Sequence, residues 1–444
     1  MSSPVKTPLL SRPRNFFPTV AALAALFAIS TAHAAGPVLA LKDNDVWVMS
    51  GDSITAQRQH TNFIEAWYRT HYPKLNLHFR NSGIGGNRTG SILARFDYDV
   101  AAWKPTIVSI ELGMNDVNGT VEEYIKGMKE LIAKIRAIHA QPVLISSSPV
   151  DDGSVMGDWK SPRCEKIHPF TDTLKKLAAE EKIVFVDQYH PLIDLWGQNR
   201  RKGAEDAAAK GIQPPKPAPA PAPTADGKPA KPAAPWIPPS LIPLGGDPVH
   251  PGPVGQYTMA ATILAGLKAE GEVSSATLNA DGKVAKAKRC KISDVSAKGG
   301  KLAFTRLDDA SPWPIAPAAK AAAELLPQML KLSDYTLKIS GLPEGNYRVS
   351  INGKPAAKVS AKDLGAGWNA TTAFDGAPGE RSNKILALIA TLQSKLNADW
   401  RAASKEKDET KLSEAQEAIE ESEKAIQAAI QPEPLHFEIE KEAR

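Results

Sequence analysis

Cysteine is scarce in this sequence: Cys164 and Cys290 are the only two among 444 residues. So few cysteines exclude a disulfide-rich scaffold and a four-cysteine zinc site. An oxidising compartment would allow the two to pair, but two separate buried thiols are at least as well supported, because sequence spacing does not reveal a disulfide distance. The zinc-protease motif HExxH is also absent. The sequence therefore predicts no metal centre.

Long apolar runs are missing as well, which argues against a membrane span in the mature chain. The N-terminal run from Val20 to Ile29 falls well short of the ~20 residues that a span needs. Three basic residues and no acidic ones precede it: Lys6, Arg12 and Arg14. The small-x-small segment Ala32-His33-Ala34 follows it. This pattern predicts a signal peptide over residues 1–34, a mature start at Ala35 and a secreted or periplasmic protein, with a membrane anchor as the less favoured alternative.

Positive charge exceeds negative charge only slightly in this sequence. The formal net charge of +5 falls by three, to +2, once Lys6, Arg12 and Arg14 are removed. A near-neutral chain lacks the basic surface that nucleic-acid binding requires. Nucleic acid is therefore not an expected partner, and the sequence leaves the oligomeric state open.

From Asp45 to Trp196, short apolar runs alternate with helical patterns. Five runs are predicted strands: Val46 to Met49, Leu75 to Phe79, Thr106 to Leu112, Pro142 to Ser146 and Ile183 to Val186. Three segments between them have helical spacing: Phe63 to Tyr72, Tyr124 to Ile138 and Phe170 to Glu180. Alternation of this kind predicts a parallel sheet covered by helices on both faces.

A proline-rich segment, residues 202–239, interrupts this pattern. The stretch from Pro214 to Pro239 has low complexity, which predicts an extended or disordered chain. The whole segment is predicted to be a surface insertion within a first domain that spans residues 35–275. Residues 276–375 follow, with strand-like alternation around the hairpin signal Asn352-Gly353. They are predicted to form a small β-rich domain, with an alanine-rich helix from Ala316 to Leu330 inserted between its strands.

Residues 376–444 are predicted to be a helical C-terminal extension. Ile385 to Trp400 has an amphipathic pattern, and Glu409 to Ile430 is a strongly charged helix. We expect the charged helix to be a solvated, salt-bridged hairpin partner rather than a binding surface.

Two segments that follow predicted strands have residues suited to acyl transfer. Ser53 lies in Gly51-Asp52-Ser53-Ile54-Thr55, directly after the first strand, where open α/β sheets bind ligands. Its hydroxyl is a weak nucleophile unless a base takes its proton. The segment Asn81-Ser82-Gly83-Ile84-Gly85-Gly86-Asn87 follows the second strand, and its adjacent glycines let a backbone N–H point at an oxyanion. Taken alone, each is also an ordinary turn or a flexible loop.

Two further segments offer a side-chain donor and a base. Gly113-Met114-Asn115-Asp116 ends the third strand and brings the Asn115 amide to the same sheet edge. In Asp247-Pro248-Val249-His250-Pro251, a carboxylate three residues from a histidine is placed to fix the tautomer of the ring. The other ring nitrogen is then available as a base, although a lone Asp/His pair in a proline-rich loop is usually structural.

Together and in this order, the four segments resemble the SGNH or GDSL hydrolase family from about Asp45 to Leu267. The resemblance implies a flavodoxin-like three-layer α/β/α sandwich with about five parallel strands. It implies that Ser53 is the nucleophile, His250 the base and Asp247 the carboxylate that orients the base. The region that includes residues 276–369 resembles the C-terminal extension of a bacterial subgroup of this family. The α/β-hydrolase fold is disfavoured, because no GxSxG motif is present.

The resemblance also implies an oxyanion hole formed by the N–H groups of Ser53 and Gly86 and the side chain of Asn115. The family usually has an aspartate where this chain has Asn87, a change that bears on substrate choice without removing a catalytic role. Trp159, in the segment after the fourth strand, is a second substrate-binding candidate that would stack on a sugar, with a buried tryptophan as the alternative.

The expected function is hydrolysis of short-chain acyl esters, including O-acetyl groups on carbohydrates, through an acyl-enzyme and without a metal or cofactor. The expected partner is a small-molecule or polysaccharide ester. A lipid or aryl esterase of the same mechanism is the alternative, although no long apolar lid is apparent in the sequence. A non-catalytic carbohydrate-binding protein on a hydrolase scaffold is the alternative of another class.

Overall fold

Five parallel strands form the central sheet of the N-terminal half of the chain. The computed structural model describes residues 39–151, 162–213, 238 and 241–442. The predicted signal peptide, Trp159 and most of the predicted proline-rich insertion therefore lie outside the described residues. The five strands are β1 (Val46–Gly51), β2 (His78–Gly83), β3 (Ile107–Glu111), β4 (Gln141–Ile145) and β5 (Val184–Val186).

The strand order of this sheet is β2-β1-β3-β4-β5, and every neighbouring pair is parallel. This is the flavodoxin-like order, which has its switch point between β1 and β3. The predicted fold class is thus confirmed. Strand β2 begins later than predicted and includes Asn81 and Ser82, because its pairing with β1 continues to Gly51 and Gly83. Both polar side chains are buried there.

Helices cover both faces of the sheet. They are α1 (Ser53–Ala56), α2 (Gln59–His71), α3 (Thr89–Asp99), α4 (Val121–Ala137), α5 (Pro162–Glu180), α6 (Tyr189–Ala209) and α7 (Pro253–Gly266). Strand side chains alternate between two apolar cores, so that Trp47 and Met49 join one core and Val48 joins the other. The first core contains residues of α2, α6 and α7, and the second contains residues of α3 and α4. This double burial explains why the strands read as continuous apolar runs.

Helix α6 extends into the predicted insertion. It continues to Ala209, so residues 202–209 of that insertion are helical. Gly203 and Ala207 are buried on this helix, and a Cβ on Gly203 would lie 3.2 Å from the backbone of Leu241. Close packing against the returning chain therefore stabilises the last turns of α6.

Two antiparallel-rich sheets follow in the C-terminal half. Their strands are β6 (Glu272–Asn279), β7 (Val284–Lys288), β8 (Cys290–Lys298), β9 (Lys301–Asp308), β10 (Asp334–Ser340), β11 (Asn346–Ile351), β12 (Lys354–Ser360), β13 (Trp368–Asn369) and β14 (Leu435–Lys441). The sheet orders are β13-β10-β6-β7 and β12-β11-β14-β9-β8. Side chains of both sheets share one apolar core, which makes this part a β-sandwich.

Strand β14 was not predicted from the sequence, which assigned residues 376–444 to helices. It lies between β11 and β9 and pairs antiparallel with both. Phe437 and Ile439 point into the sandwich core, whereas His436 and Glu438 are less buried. The alternation is present in the sequence, but the segment is short and follows a long helix, so its period was missed.

The helix predicted from Ala316 to Leu330 was also wrong in extent. Only α8 (Ala322–Leu325) is α-helical there, and 3-10 turns at Pro317–Ala319 and Pro327–Leu332 flank it. Proline cannot donate the hydrogen bond that continues a helix, and Pro327 lies two residues after the end of α8. A second short helix, α9 (Ala361–Ala366), connects β12 with β13.

Three helices between β13 and β14 pack against the sheet edge next to β2. They are α10 (Gly376–Thr391), α11 (Asn397–Glu406) and α12 (Glu409–Ile430), with a π-helical turn between the first two. The bounds predicted for α12 are confirmed, and one face of this helix is buried while the rest is solvated. Glu423 of α12 accepts hydrogen bonds from Arg80 Nη1 (2.7 Å) and His78 Nδ1 (2.8 Å). Although burial acts to raise the pKa of Glu423, these contacts lower it to about 2.

The two cysteines lie in different halves of the structure. Cys164 is buried on α5, where its sulfur accepts a hydrogen bond from the Val150 N–H at 3.3 Å. Cys290 begins β8, and its thiol donates to the Ser275 carbonyl at 3.4 Å.

Among residues 39–151, 162–213, 238 and 241–442, no helix combines the length and apolar character that crossing a membrane requires.

Candidate active site

Ser53 lies at the carboxyl end of β1, as the first residue of α1. Asp52 precedes it and caps the helix, because its Oδ1 accepts the Ile54 N–H at 2.9 Å. Gly51 has no room for a side chain, since a Cβ there would lie 2.0 Å from Thr55 Oγ1. The sequence Gly51-Asp52-Ser53 thus builds a tight strand-to-helix turn that presents Ser53 at the sheet edge.

The structure brings His250 and Asp247 to Ser53. His250 Nε2 lies 2.8 Å from Ser53 Oγ, and His250 Nδ1 lies 2.9 Å from Asp247 Oδ2. A carboxylate accepts hydrogen bonds only, so Nδ1 is the protonated nitrogen and Nε2 accepts from the Ser53 hydroxyl. The three residues form a continuous Ser-His-Asp chain, as the resemblance implied.

A closed loop holds this histidine and aspartate, and we call residues 245–252 the triad loop. Asp247 Oδ1 accepts the backbone N–H groups of Val249 (2.8 Å) and His250 (2.9 Å), which fixes the carboxylate within the loop. Gly252 N–H donates to the Gly245 carbonyl at 2.9 Å and closes the loop at its base. Gly245 has a positive φ of 76° there, a conformation that glycine adopts without strain.

Asp247 is the most exposed member of the chain of hydrogen bonds. The exposed fraction of its side chain is 57%, against 32% for His250. Its partial burial acts to raise the pKa, but the hydrogen bonds from the His250 ring and from the backbone N–H groups of His250 and Val249 lower it below the usual aspartate value. Asp247 is therefore a stable carboxylate at neutral pH.

The predicted oxyanion-hole residues also lie at this edge of the sheet. The loop after β2 passes beside Ser53, since a Cβ on Gly85 would lie 3.9 Å from Ser53 Cβ. Gly86 is exposed with a φ of 74°. Asn115 Nδ2 donates to the Asn87 carbonyl at 3.2 Å, which joins the third strand's end to the glycine loop. One N–H of this amide remains for another acceptor.

The side chain of Asn87, a predicted substrate-binding residue, has a partner within the protein. Its Oδ1 accepts a hydrogen bond from Arg95 Nε at 2.9 Å. Arg95 also donates to Ser82 Oγ at 2.6 Å and pairs with Asp99. An asparagine at this position therefore orders the end of the glycine loop. The other predicted substrate-binding residue, Trp159, lies outside the described residues.

Four buried polar residues behind Ser53 were missed by sequence reasoning, and we call them the buried network: His60, Glu111, Gln188 and Gln256. Glu111 ends β3 beside Gly51 and accepts from Gln188 Nε2 at 2.7 Å. His60 Nε2 lies 2.8 Å from Glu111 Oε2, and His60 Nδ1 lies 2.6 Å from Gln256 Oε1. Glu111 is the one charged residue in the apolar run TIVSIEL, which was the available signal.

The buried network places charge close to Asp52. Burial raises the pKa of Asp52 to about 7, and the neighbouring carboxylates Glu111 and Asp116 act in the same direction. Burial alone would lower the pKa of His60, but the charge of Glu111 and the hydrogen bonds to Glu111 and Gln256 raise it. Asp52 and the buried network thus lie together in a low-dielectric environment.

The comparisons with known proteins agree with this geometry. Residues 49–256 match the GDSL-like lipase/acylhydrolase family, a range that includes the Ser-His-Asp chain, Gly86 and Asn115. An acetylxylan esterase of Geobacillus stearothermophilus is 27% identical over 128 residues, which cover 26% of this chain and 56% of that enzyme. The chain thus aligns with little more than half the length of this relative.

Two solved structures match this one to different extents. A gut microbial diltiazem-metabolizing enzyme has a TM-score of 0.70 at 20% identity, covering 91% of this chain and 99% of that one. Its fold therefore extends beyond the N-terminal sheet into the C-terminal half. The crystal structure of the Geobacillus stearothermophilus acetylxylan esterase has a TM-score of 0.36 at 20% identity and covers 52% of this chain and 96% of that one. Over residues 49–256, the chain is similar to the GDSL-like lipase/acylhydrolase family, a family of ester-hydrolysing enzymes.

Proposed function

We propose that this protein is a serine esterase in which Ser53 is the nucleophile, His250 the base and Asp247 the orienting carboxylate. The observation that supports this most strongly is the 2.8 Å distance from His250 Nε2 to Ser53 Oγ, with Nδ1 held by Asp247. A hydroxyl becomes nucleophilic when an oriented base accepts its proton, and this geometry provides such a base.

The reaction begins when Ser53 Oγ attacks the carbonyl carbon of a bound ester. His250 Nε2 takes the hydroxyl proton, and the imidazolium that forms is stabilised by the carboxylate of Asp247. Negative charge develops on the carbonyl oxygen. The N–H groups of Ser53 and Gly86 and the unused N–H of Asn115 are the proposed donors to that oxygen.

His250 then protonates the leaving alcohol, and an acyl-enzyme remains on Ser53. Water enters, gives its proton to His250 and attacks the acyl carbon, which releases the acid and restores the Ser53 hydroxyl. Every proton moves between groups already described, so the proposed cycle runs without a cofactor.

The proposed substrates are short-chain acyl esters, including O-acetyl groups on carbohydrates. The named activity of the acetylxylan esterase relative favours an acetylated sugar. The site is also open and polar, because Gly85, Gly86 and Asp247 are exposed around Ser53. A lipid or aryl ester is the second candidate substrate. If the wild-type protein hydrolysed no ester, that result would favour the alternative of a non-catalytic carbohydrate-binding role.

Two predictions about the whole chain belong to this proposal. We propose that residues 1–34 are a signal peptide, which would place the esterase in the periplasm or outside the cell. The domain boundaries at 275/276 and 375/376 likewise stay predictions. N-terminal sequencing tests the predicted signal peptide. We expect protein purified from the periplasm or medium to begin at Ala35.

Labelling with a fluorophosphonate probe tests the nucleophile directly. We expect the wild-type protein to be labelled and to hydrolyse p-nitrophenyl acetate, and Ser53→Ala to lose both properties. Ser413→Ala, which changes an exposed serine on α12, is the matched control and should behave like the wild type. Unchanged turnover by folded Ser53→Ala would refute the proposed nucleophile. The rates of Ser53-dependent hydrolysis of acetylated xylo-oligosaccharides and of longer acyl esters then show which acyl group is preferred.

A further inference from the structure

Three side chains with metal-binding atoms lie together at the surface of α5 and α6: His168, Asp172 and His190. One candidate ligand atom from each lies within 4.8 Å of the other two. His168 Nε2 is 3.4 Å from Asp172 Oδ2, and His190 Nε2 is 4.0 Å from Asp172 Oδ1. None of the three takes part in the proposed ester hydrolysis.

The secondary structure places these residues together. His168 and Asp172 are four residues apart on α5, so they share one face of the helix. His190 is the second residue of α6, just after the end of β5. The two imidazole rings meet edge to face, with centroids 5.2 Å apart. The spacing therefore comes from two elements that are fixed by the sheet.

A fourth residue orients one of the imidazoles. Asp187 Oδ2 lies 2.8 Å from His190 Nδ1, and Asp187 Oδ1 accepts the His190 backbone N–H at 3.1 Å. The carboxylate thus accepts a hydrogen bond from the Nδ1–H group and leaves the Nε2 lone pair facing Asp172. A metal-bound histidine commonly donates its other ring N–H to a carboxylate in this way.

We propose that His168, Asp172 and His190 form a binding site for a divalent transition-metal ion of the zinc type. Zinc is bound by imidazole nitrogen and carboxylate oxygen at about 2.0–2.1 Å, which puts tetrahedral ligand atoms roughly 3.3 Å apart. The distance of 3.4 Å from His168 Nε2 to Asp172 Oδ2 is close to that value, and the distance of 4.0 Å from His190 Nε2 to Asp172 Oδ1 is longer. The side chains are 52%, 47% and 39% exposed, so small rotations bring the ligand atoms into position and water completes the coordination.

Ligand type selects among metals at this site. Two imidazoles and one carboxylate suit zinc, cobalt and nickel, whereas calcium and magnesium prefer sites built from oxygen. A bound ion would link α5 to the first turn of α6. Gln188, the N-cap of α6, donates to Glu111 in the buried network, so the ion would stabilise the support behind Ser53 without touching the substrate.

Calorimetric titration of the untagged full chain with zinc chloride tests the proposal. The His250→Ala background removes competition from the triad loop. We expect one bound ion per chain, with affinity reduced at least tenfold in His168→Ala and in His190→Ala. His436→Ala changes another half-exposed histidine and is the matched control. Calcium and magnesium should bind much more weakly than zinc.

Two further measurements separate a metal site from a simple cluster of ion pairs. Asp187→Asn should weaken zinc binding by about 10–100-fold, as loss of an orienting partner does. Zinc should also raise Tm in the His250→Ala background and fail to do so in the same background with His190→Ala. Equal zinc affinity in all the variants, or no binding in any of them, would show that the cluster only forms ion pairs and would overturn the proposal.

Discussion

The triad loop and the buried network support Ser53 from opposite sides and differ in how the chain builds them. In the triad loop, Asp247 and His250 are three residues apart and partly exposed. In the buried network, the hydrogen-bonded pairs are separated by 51, 77 and 196 residues, and every member is at most 6% exposed. The triad loop thus contains the proposed catalytic base and its carboxylate on one short segment. The buried network, which is assembled from distant segments and excluded from solvent, stabilises the structure behind Ser53.

This difference predicts that activity and stability can be separated by mutation. Substitutions in the triad loop should reduce turnover and leave folding intact, because the loop is exposed and makes its own hydrogen bonds. Substitutions in the buried network should mainly reduce the free energy of unfolding, because they leave polar groups unpaired in the interior. The following experiments test this separation, beginning with the largest expected effect.

His250→Ala should reduce kcat for p-nitrophenyl acetate by about 10⁶-fold, as loss of the base does in other serine hydrolases. Its Tm should stay within a few degrees of the wild-type value, because the side chain is one-third exposed. Steady-state kinetics and differential scanning calorimetry measure the two quantities. A large fall in Tm with substantial residual turnover would contradict the assigned roles.

Glu111→Ala should lower the free energy of unfolding by about 3–5 kcal/mol, because it leaves His60 as an uncompensated buried group. Glu111→Gln keeps the shape and some of the hydrogen bonds, so its loss should be smaller. Urea denaturation of both variants measures the difference. A loss below about 1 kcal/mol in Glu111→Ala would indicate that the buried network is not the main support of the site.

Asn115→Ala should lower kcat by about 10²–10³-fold, which is the cost of removing one oxyanion-hole donor. KM should change little, because the bond to the oxyanion forms in the transition state. The hydrogen bond to the Asn87 carbonyl is lost as well, so a KM increase without a change in kcat would instead indicate a role in shaping the glycine loop. Michaelis–Menten kinetics with p-nitrophenyl acetate distinguish the two outcomes.

Asp52→Asn should alter the pH dependence of stability, with a shift of a few degrees in Tm. The pKa of Asp52 in the folded protein, about 7, lies above its ordinary value of 3.8. The contribution of Asp52 to the free energy of unfolding is therefore fully present below the pKa of the unfolded state, and it is lost as pH rises through about 7. Asparagine keeps the helix cap and stays neutral.

The variant should therefore gain in Tm relative to the wild type as pH increases from 4 to 8. Asp97→Asn, at an 86% exposed aspartate, is the control and should show no such trend. Thermal melts at several pH values provide the measurement. A pH-independent difference between Asp52→Asn and the wild type would indicate that Asp52 does not titrate in this range.

The sequence was sufficient for the features that depend on local pattern. Strand–helix alternation predicted the parallel sheet, and short motifs located Ser53, Asp247 and His250. It was not sufficient for the buried network. Gln188 and Gln256 look like ordinary polar residues until folding buries Gln188 beside Glu111 and Gln256 beside His60. It also missed β14, because a strand's place in a sheet depends on partners that are distant in sequence.

Strand β14 has a consequence for how the molecule is assembled. Phe437 pairs with Phe304 on one side and with Ile351 on the other, so this single strand joins two segments that are far apart in the chain. Contacts of such long sequence separation slow folding, because the loop between them must close before they form. Before β14 pairs with them, β9 and β11 each have one edge with unpaired backbone hydrogen-bonding groups. Such edges are prone to pair with other chains. The C-terminal half of this protein is therefore expected to be the slow-folding and aggregation-sensitive part of the molecule.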